Sequence, residues 1–202
     1  MATALSSNTA GGFRIDVRTD FAGTQRQLER LRRDVRDQVI ARTLNRVGDA
    51  VRTTATRQIT GTYNLTAAKT RDRLFVQRAF ANARLSVTVG VQSRFGKRAT
   101  NVITFGAKEL KRGGVSVKIR RDSPPIRGAG WFILTNKRTG GTFVAKRTGS
   151  GRADIDPVRT IDVGQMFNSR EVNAALLRTV RDRFPREFAQ QLRFATRRFT
   201  RR

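Results

Sequence analysis

The chain has no cysteine and no histidine, and only one tryptophan, one tyrosine and four prolines in 202 residues. Without Cys or His there is no Ser-His-Asp triad, no Cys-His pair, no thiolate chemistry and no ordinary zinc site. Acidic residues are also scarce, 15 Asp and Glu against 42 Lys and Arg. No apolar run approaches the ~20 residues that a membrane span needs. The segment from Met1 to Ala10 lacks a basic start followed by an apolar stretch, so no secretory signal is expected. Most routes to an enzyme are closed by these absences, and a soluble protein made in the cytoplasm is the expectation.

What is present is positive charge. The formal net charge is +27, and of the basic residues seven are Lys and thirty-five are Arg. Such a density exceeds what solubility requires and points to a polyanionic partner or to an assembly that balances it. Arg carries a planar fork that pairs with carboxylate and phosphate alike, so the sign of the partner follows but not its class. At this length one domain is the prior, with enough chain to bury a core.

Periodicity divides the chain. Residues 1–12 are small and polar and read as a flexible arm, with 13–202 as a single domain. Phe13-Arg-Ile-Asp-Val17 alternates as a strand. Thr24 and Gln27 have capping-box spacing, and apolar residues from Leu28 to Ile59 recur at three- or four-residue steps among charges. This pattern predicts a long amphipathic helix over about 24–59, with Gly48 a tolerated weak point. A short helix is expected after Asn64 or Thr66, fading by Arg73. Leu74 and Val76, then Arg84 to Val91, alternate on either side of a turn at Ala81–Ala83, which reads as a hairpin.

Val115–Ile119 is another alternating strand after Gly113-Gly114. The continuous apolar run Gly130, Trp131, Phe132, Ile133, Leu134 reads as a central strand buried on both faces and as the candidate core and assembly strand. Phe132→Asp is accordingly expected to abolish folding or assembly. Gly140-Gly141 turns into the strand Thr142–Ala145. Asn168, with Glu171 three residues on, has N-cap spacing for a final helix striped by Val172, Leu176, Val180, Phe184, Phe188 and Leu192. Pro185 interrupts that stripe and predicts a kink or break. The fold class is α+β: a long helix, a short helix, a mostly antiparallel sheet and a long terminal helix.

No catalytic motif survives scrutiny. Gly128-Ala129-Gly130 precedes a strand and lacks the Gly-Lys-Ser/Thr ending of a phosphate loop. Asp154, Asp156 and Asp162 match no calcium-loop spacing and read as an ordinary polar loop. No metal and no cofactor is expected. Basic clusters remain as candidate contacts to a polyanion or partner: Lys118, Arg120 and Arg121, and Arg197, Arg198, Arg201 and Arg202 at the end of the chain. No helix-turn-helix, zinc finger or heptad zipper accompanies them, so any nucleic-acid contact is expected at the backbone and sensitive to salt.

An ordered series of segments resembles the minor tail protein Z family, the tail completion proteins of lambda-type long-tailed phages and prophages. Ala41-Arg-Thr-Leu-Asn45-Arg46 resembles that family's opening helix. Phe105-Gly-Ala-Lys108 before Gly114–Ile119 resembles its "FGA…GVSV" segment, and Gly130–Leu134 stands where the family has "GAFIA". Thr142–Arg147 resembles "GVFxRxG"; Arg152 to Ile155 and Val163 to Phe167 resemble "RLPI" and "PSVPQMF". The series covers roughly residues 40 to 195. Trp131, the pair Ala153-Asp154, and Pro185 depart from the pattern.

The resemblance implies a non-enzymatic virion component at the head-proximal end of the tail, where head and tail join. It implies a homo-oligomeric ring, a hexamer by the sixfold build of such tails. The tail terminator and the tail-tube or neck proteins would be its neighbours, with possible non-specific contact to DNA in the channel. The alternative from the charge alone is a sequence-independent nucleic-acid-binding protein.

Overall fold

The computed structural model describes the backbone of residues 2–9, 12–19, 33–81, 83–92, 100–151 and 154–200, with side chains between 35 and 197. Strand β1 (Ala2–Thr9) pairs antiparallel with β2 (Gly12–Thr19). The first part of this hairpin falls where composition suggested an arm, and the second contains the expected strand. Helix α1 (Arg33–Thr62) and the short α2 (Ala67–Arg71) follow, then the hairpin β3 (Leu74–Gln77) and β4 (Thr88–Val91). Short strands come next: β5 (Thr100–Asn101), a 3-10 turn over Val102–Phe105, β6 (Lys108–Glu109), β7 (Val115–Val117) and β8 (Ile126–Gly128). Then follow β9 (Trp131–Thr135), β10 (Thr142–Arg147), β11 (Ile155–Pro157) and β12 (Arg159–Thr160). Helices α3 (Val163–Phe167) and α4 (Arg170–Thr200) complete the chain. The class is α+β, as the periodicity indicated.

Among the described residues every strand pair is antiparallel, but the strands form small separate sheets, not one. Two of these are three-stranded, ordered β11-β10-β9 and β6-β7-β8. What unites them is the core. Val47, Val51, Ala55 and Ile59 of α1 and Val172, Leu176, Val180, Phe184 and Phe188 of α4 join Val89, Phe105, Val115, Val117 and Val144 in one buried cluster. Each of the Val, Leu, Ile and Phe side chains contributes about 1.5–3 kcal/mol of transfer free energy. The two long helices run antiparallel: the hydroxyls of Thr54 and Thr179 meet at 3.1 Å, and Arg46 reaches Glu187 at 3.2 Å.

Local chemistry explains where elements stop. The first helix was expected to end near Ile59 but continues to Thr62. Its last carbonyls find donors from a distant loop, next to the isolated Tyr63–Arg120 bridge: the Arg121 Nε–H bonds Thr60 O at 2.8 Å and the Arg121 backbone N–H bonds Thr62 O at 2.9 Å. A cation there also suits the negative end of the helix dipole. The beginning of the expected helix, including the Thr24–Gln27 pair, lies outside the described residues. Helix α2 begins at Thr66, whose side chain accepts from Lys69 N–H. Gly113 and Gly114 take φ of 84° and 86°, a left-handed pair that turns the chain into β7.

Three expectations are corrected. First, Trp131–Leu134 is not a central strand buried on both faces: β9 is an edge strand, half-buried along its length. The central position belongs to β10, where Val144 and Ala145 are 0 % exposed. An apolar run marks affinity for burial, but it does not say whether the chain itself supplies both covers. Second, Asn168 closes α3 as its C-cap, and Ser169 takes the N-cap role for α4 by accepting from Val172 N–H at 3.4 Å. Third, the kink or break expected at Pro185 is corrected only as to the break: α4 runs through Pro185 as one helix. Phe184 and Phe188 on either side are buried in the core and hold the helix together, while Pro185 is on the exposed side.

Candidate interaction surface

The segment Ala41–Arg46 is where three elements are joined. The Asn45 amide donates to Ala79 O at 3.0 Å and accepts from Ala79 N–H at 2.8 Å, pinning the β3–β4 hairpin end to α1. One turn away, Gly48 lets that hairpin approach: a Cβ there would stand 2.5 Å from Val87 Cγ1. Arg46 bonds Glu187 and Gln190 of α4, each at 3.2 Å. The Arg42 guanidinium lies over the Phe194 ring, 5.9 Å from its centre. Asn101 makes a second clamp of the same kind, donating to Val144 O at 2.9 Å and accepting from Val144 N–H at 3.0 Å.

The sequence-selected basic residues fall in two distant places. Lys118, Arg120 and Arg121 lie together at the C-terminal end of α1, and all three are exposed. Arg197 is exposed near the far end of α4. The residues of α4 between Glu171, which is within electrostatic reach of Arg120, and Arg197 span roughly 40 Å at 1.5 Å per residue. The Arg198 side chain and residues Arg201 and Arg202 lie outside the description. Two of the nearer group have internal partners. Arg120 forks onto Asp122, Nε to Oδ1 at 3.0 Å and Nη2 to Oδ2 at 2.9 Å, with Tyr63 beneath it. The hydrogen bond from Arg120 holds the Asp122 carboxyl down at about 2. Arg121 caps α1. Lys118 has no partner among the described residues.

The strand Gly130–Leu134 presents a half-covered apolar edge. The Trp131 ring lies against Gly128, where a Cβ would overlap it. Arg147 stacks over Phe132 at 5.8 Å, and the Ile133 N–H meets the Glu109 carboxylate at 3.4 Å. Large apolar side chains are also exposed elsewhere: Phe80 (63 %), Phe194 (54 %), Ile126 (48 %) and Leu85 (40 %). Asp154 and Asp162, weighed above as metal ligands, serve backbone geometry instead. Asp154 accepts from Gly151 N–H at 2.9 Å, and Asp162 forms a reciprocal capping box with Gln165 at the start of α3.

One surface was missed in the sequence. Two adjoining depressions of about 460 Å³ each lie along a single face of α1. Arg42, Asn45 and Arg46 with Gln190, Gln191 and Phe194 line one; Asp49, Arg52, Thr53, Thr56, Arg57 and Arg71 line the other. The sequence held only part of the signal, the i,i+4 pair Arg42 and Arg46; Arg52 and Arg57 stand five residues apart, on opposite flanks of the exposed side of the helix. Scanning for contiguous basic runs passes over it.

The comparisons bear on this architecture as a whole. No curated protein and no solved structure matches the chain. The family model described as prophage minor tail protein Z matches residues 23–202, taking in α1, the sheets and α4 together. The chain therefore belongs to the prophage minor tail protein Z family.

Proposed function

We propose that this minor tail protein is a structural, non-enzymatic virion component that completes the head-proximal end of the tail as a homo-oligomeric ring, a hexamer, so that head and tail join. The observation that carries this reading is family membership over residues 23–202. The surface supports it: a half-buried apolar edge strand, Trp131 to Thr135, and four exposed large apolar side chains suit a protein that packs against copies and neighbours. The tail terminator and tail-tube or neck proteins are the neighbours in this reading.

A role for DNA in the channel has its own support. Arg178, Arg181, Arg186, Arg193 and Arg197 are exposed along α4 with no hydrogen-bond or ion-pair partner among the described residues. Lys118, Arg120, Arg121, Arg198, Arg201 and Arg202 remain proposed polyanion or partner contacts beside them. The test is quantitative mass spectrometry of purified, nuclease-treated particles. One ring per particle relative to the tail-tube subunit is expected. Absence from particles that contain the other tail proteins overturns the reading and favours a sequence-independent nucleic-acid-binding protein.

A further inference from the structure

From the trough over α1 we infer a docking site for an acidic polypeptide segment carrying an apolar anchor. This concerns which face receives a partner and does not depend on the head-proximal placement. Arg42 and Arg57 lie fifteen residues apart along α1, about 22 Å of helix. Arg42, Arg46, Arg52, Arg57 and Arg71 line it; Arg46 is paired with Glu187 at 3.2 Å, and the one lining acid, Asp49, is bridged by Arg78 at 3.1 Å. Arg42, Arg52, Arg57 and Arg71 therefore leave both depressions with an excess of positive charge on either side of the Asp49–Arg78 pair. Arg52 has a further feature: Nη2 bonds Arg71 O at 3.0 Å, while Nε is buried without a partner. Arg52 as a whole is half-buried, and its bond to Arg71 O fixes the guanidinium as a positioned cation for a carboxylate carried on a narrow chain.

One end of the trough adds specificity. Phe194 is 54 % exposed beside the first depression, an apolar contact at the rim of a charged channel. Nucleic acid fits the same features less well. A single strand needs a succession of aromatic faces for base stacking, and Phe194 is the one aromatic residue lining the two depressions. A duplex is read by basic side chains that project to its phosphates, whereas Arg52 lies low in the trough. An extended segment of about seven residues spans 22 Å.

The test uses the full chain and a fluorescein-labelled seven-residue glutamate peptide with one terminal Phe, at about 0.15 M salt to screen loose attraction. The triple variant R42Q/R57Q/R71Q is compared with R178Q/R181Q/R186Q, which removes the same charge from the exposed face of α4. Tenfold or greater weakening in the first and less than twofold in the second is expected. Phe194→Ser is expected to weaken the Phe-bearing peptide about fivefold and to leave the all-glutamate peptide unchanged. A photoreactive form of the peptide on the unaltered protein is expected to crosslink to α1 or the Phe194 turn, which settles the site even if a variant misfolds. Equal weakening by both triples, or crosslinks confined to the α4 outer face, overturns the site as bulk charge. A single-stranded oligonucleotide that binds more tightly than the peptide and loses affinity only in R42Q/R57Q/R71Q reassigns the trough to nucleic acid.

Discussion

Asn45 shows how a single side chain can secure a distant loop. Its amide both donates to and accepts from Ala79, so Asn45→Ala removes two hydrogen bonds and orphans a buried backbone group. At about 0.5–1.5 kcal/mol per bond, a loss of roughly 1–3 kcal/mol is expected in urea unfolding. Gly48 acts by absence: Gly48→Ala gains helix propensity but drives a methyl into the stiff Val87 side chain, and a net lower melting temperature is expected. Asp122 offers a residue-scale titration. Its carboxyl is depressed from 3.8 to about 2 by Arg120, so its stabilising contribution is complete above 3.8 and is lost as pH falls through about 2. An NMR titration should place its midpoint near 2, and Arg120→Gln should move it back toward 3.8.

At the scale of elements, burial and helix continuity decide. Val144 on the central strand β10 is 0 % exposed, whereas Phe132 on the edge strand β9 is only half-buried under Arg147. Val144→Asp should therefore leave no cooperative unfolding transition by circular dichroism. Phe132→Asp should still fold, reversing what the apolar run suggests, because its carboxylate reaches water. In α4, Pro185 deprives the Arg181 carbonyl of its helical donor, yet the helix continues on the packing of Phe184 and Phe188. Pro185→Ala should raise stability by about 1–3 kcal/mol, visible as a higher urea midpoint. Periodicity located these helices and strands because burial on one face imposes it. It missed the caps Ser169 and Arg121, one because Asn168 competes for the same role, the other because it comes from a loop 61 residues beyond Thr60.

For the whole molecule, the charge of +27 is only sparsely offset. The ion pairs among described residues use Asp37, Asp49, Asp122 and Glu187, while most exposed Arg of α4 face water. Self-repulsion should make the isolated chain more stable as salt rises from about 10 mM to 100 mM, where the screening length falls from ~30 Å to ~10 Å. A melting temperature that stays flat or falls over that range would mean the charges are already locally compensated. Within an assembly the same charge becomes a means of attachment, which is why the trough and the α4 face are distinguishable only by substitutions matched in charge.

The sequence alone determined the class of fold, the two long helices, the hairpin at Leu74–Val91 and the family resemblance, because each is written in local spacing or in the order of short segments. Tertiary structure decided which strand is central, since β10 and β9 differ in who covers them and not in their apolar content. It also decided which Arg residues are consumed internally. Arg120 and Arg121 look as available in the sequence as Arg42 and Arg57, but one is forked onto Asp122 and the other closes a helix. Partnership between residues far apart in sequence depends on how the chain folds back, and no local pattern contains that distance.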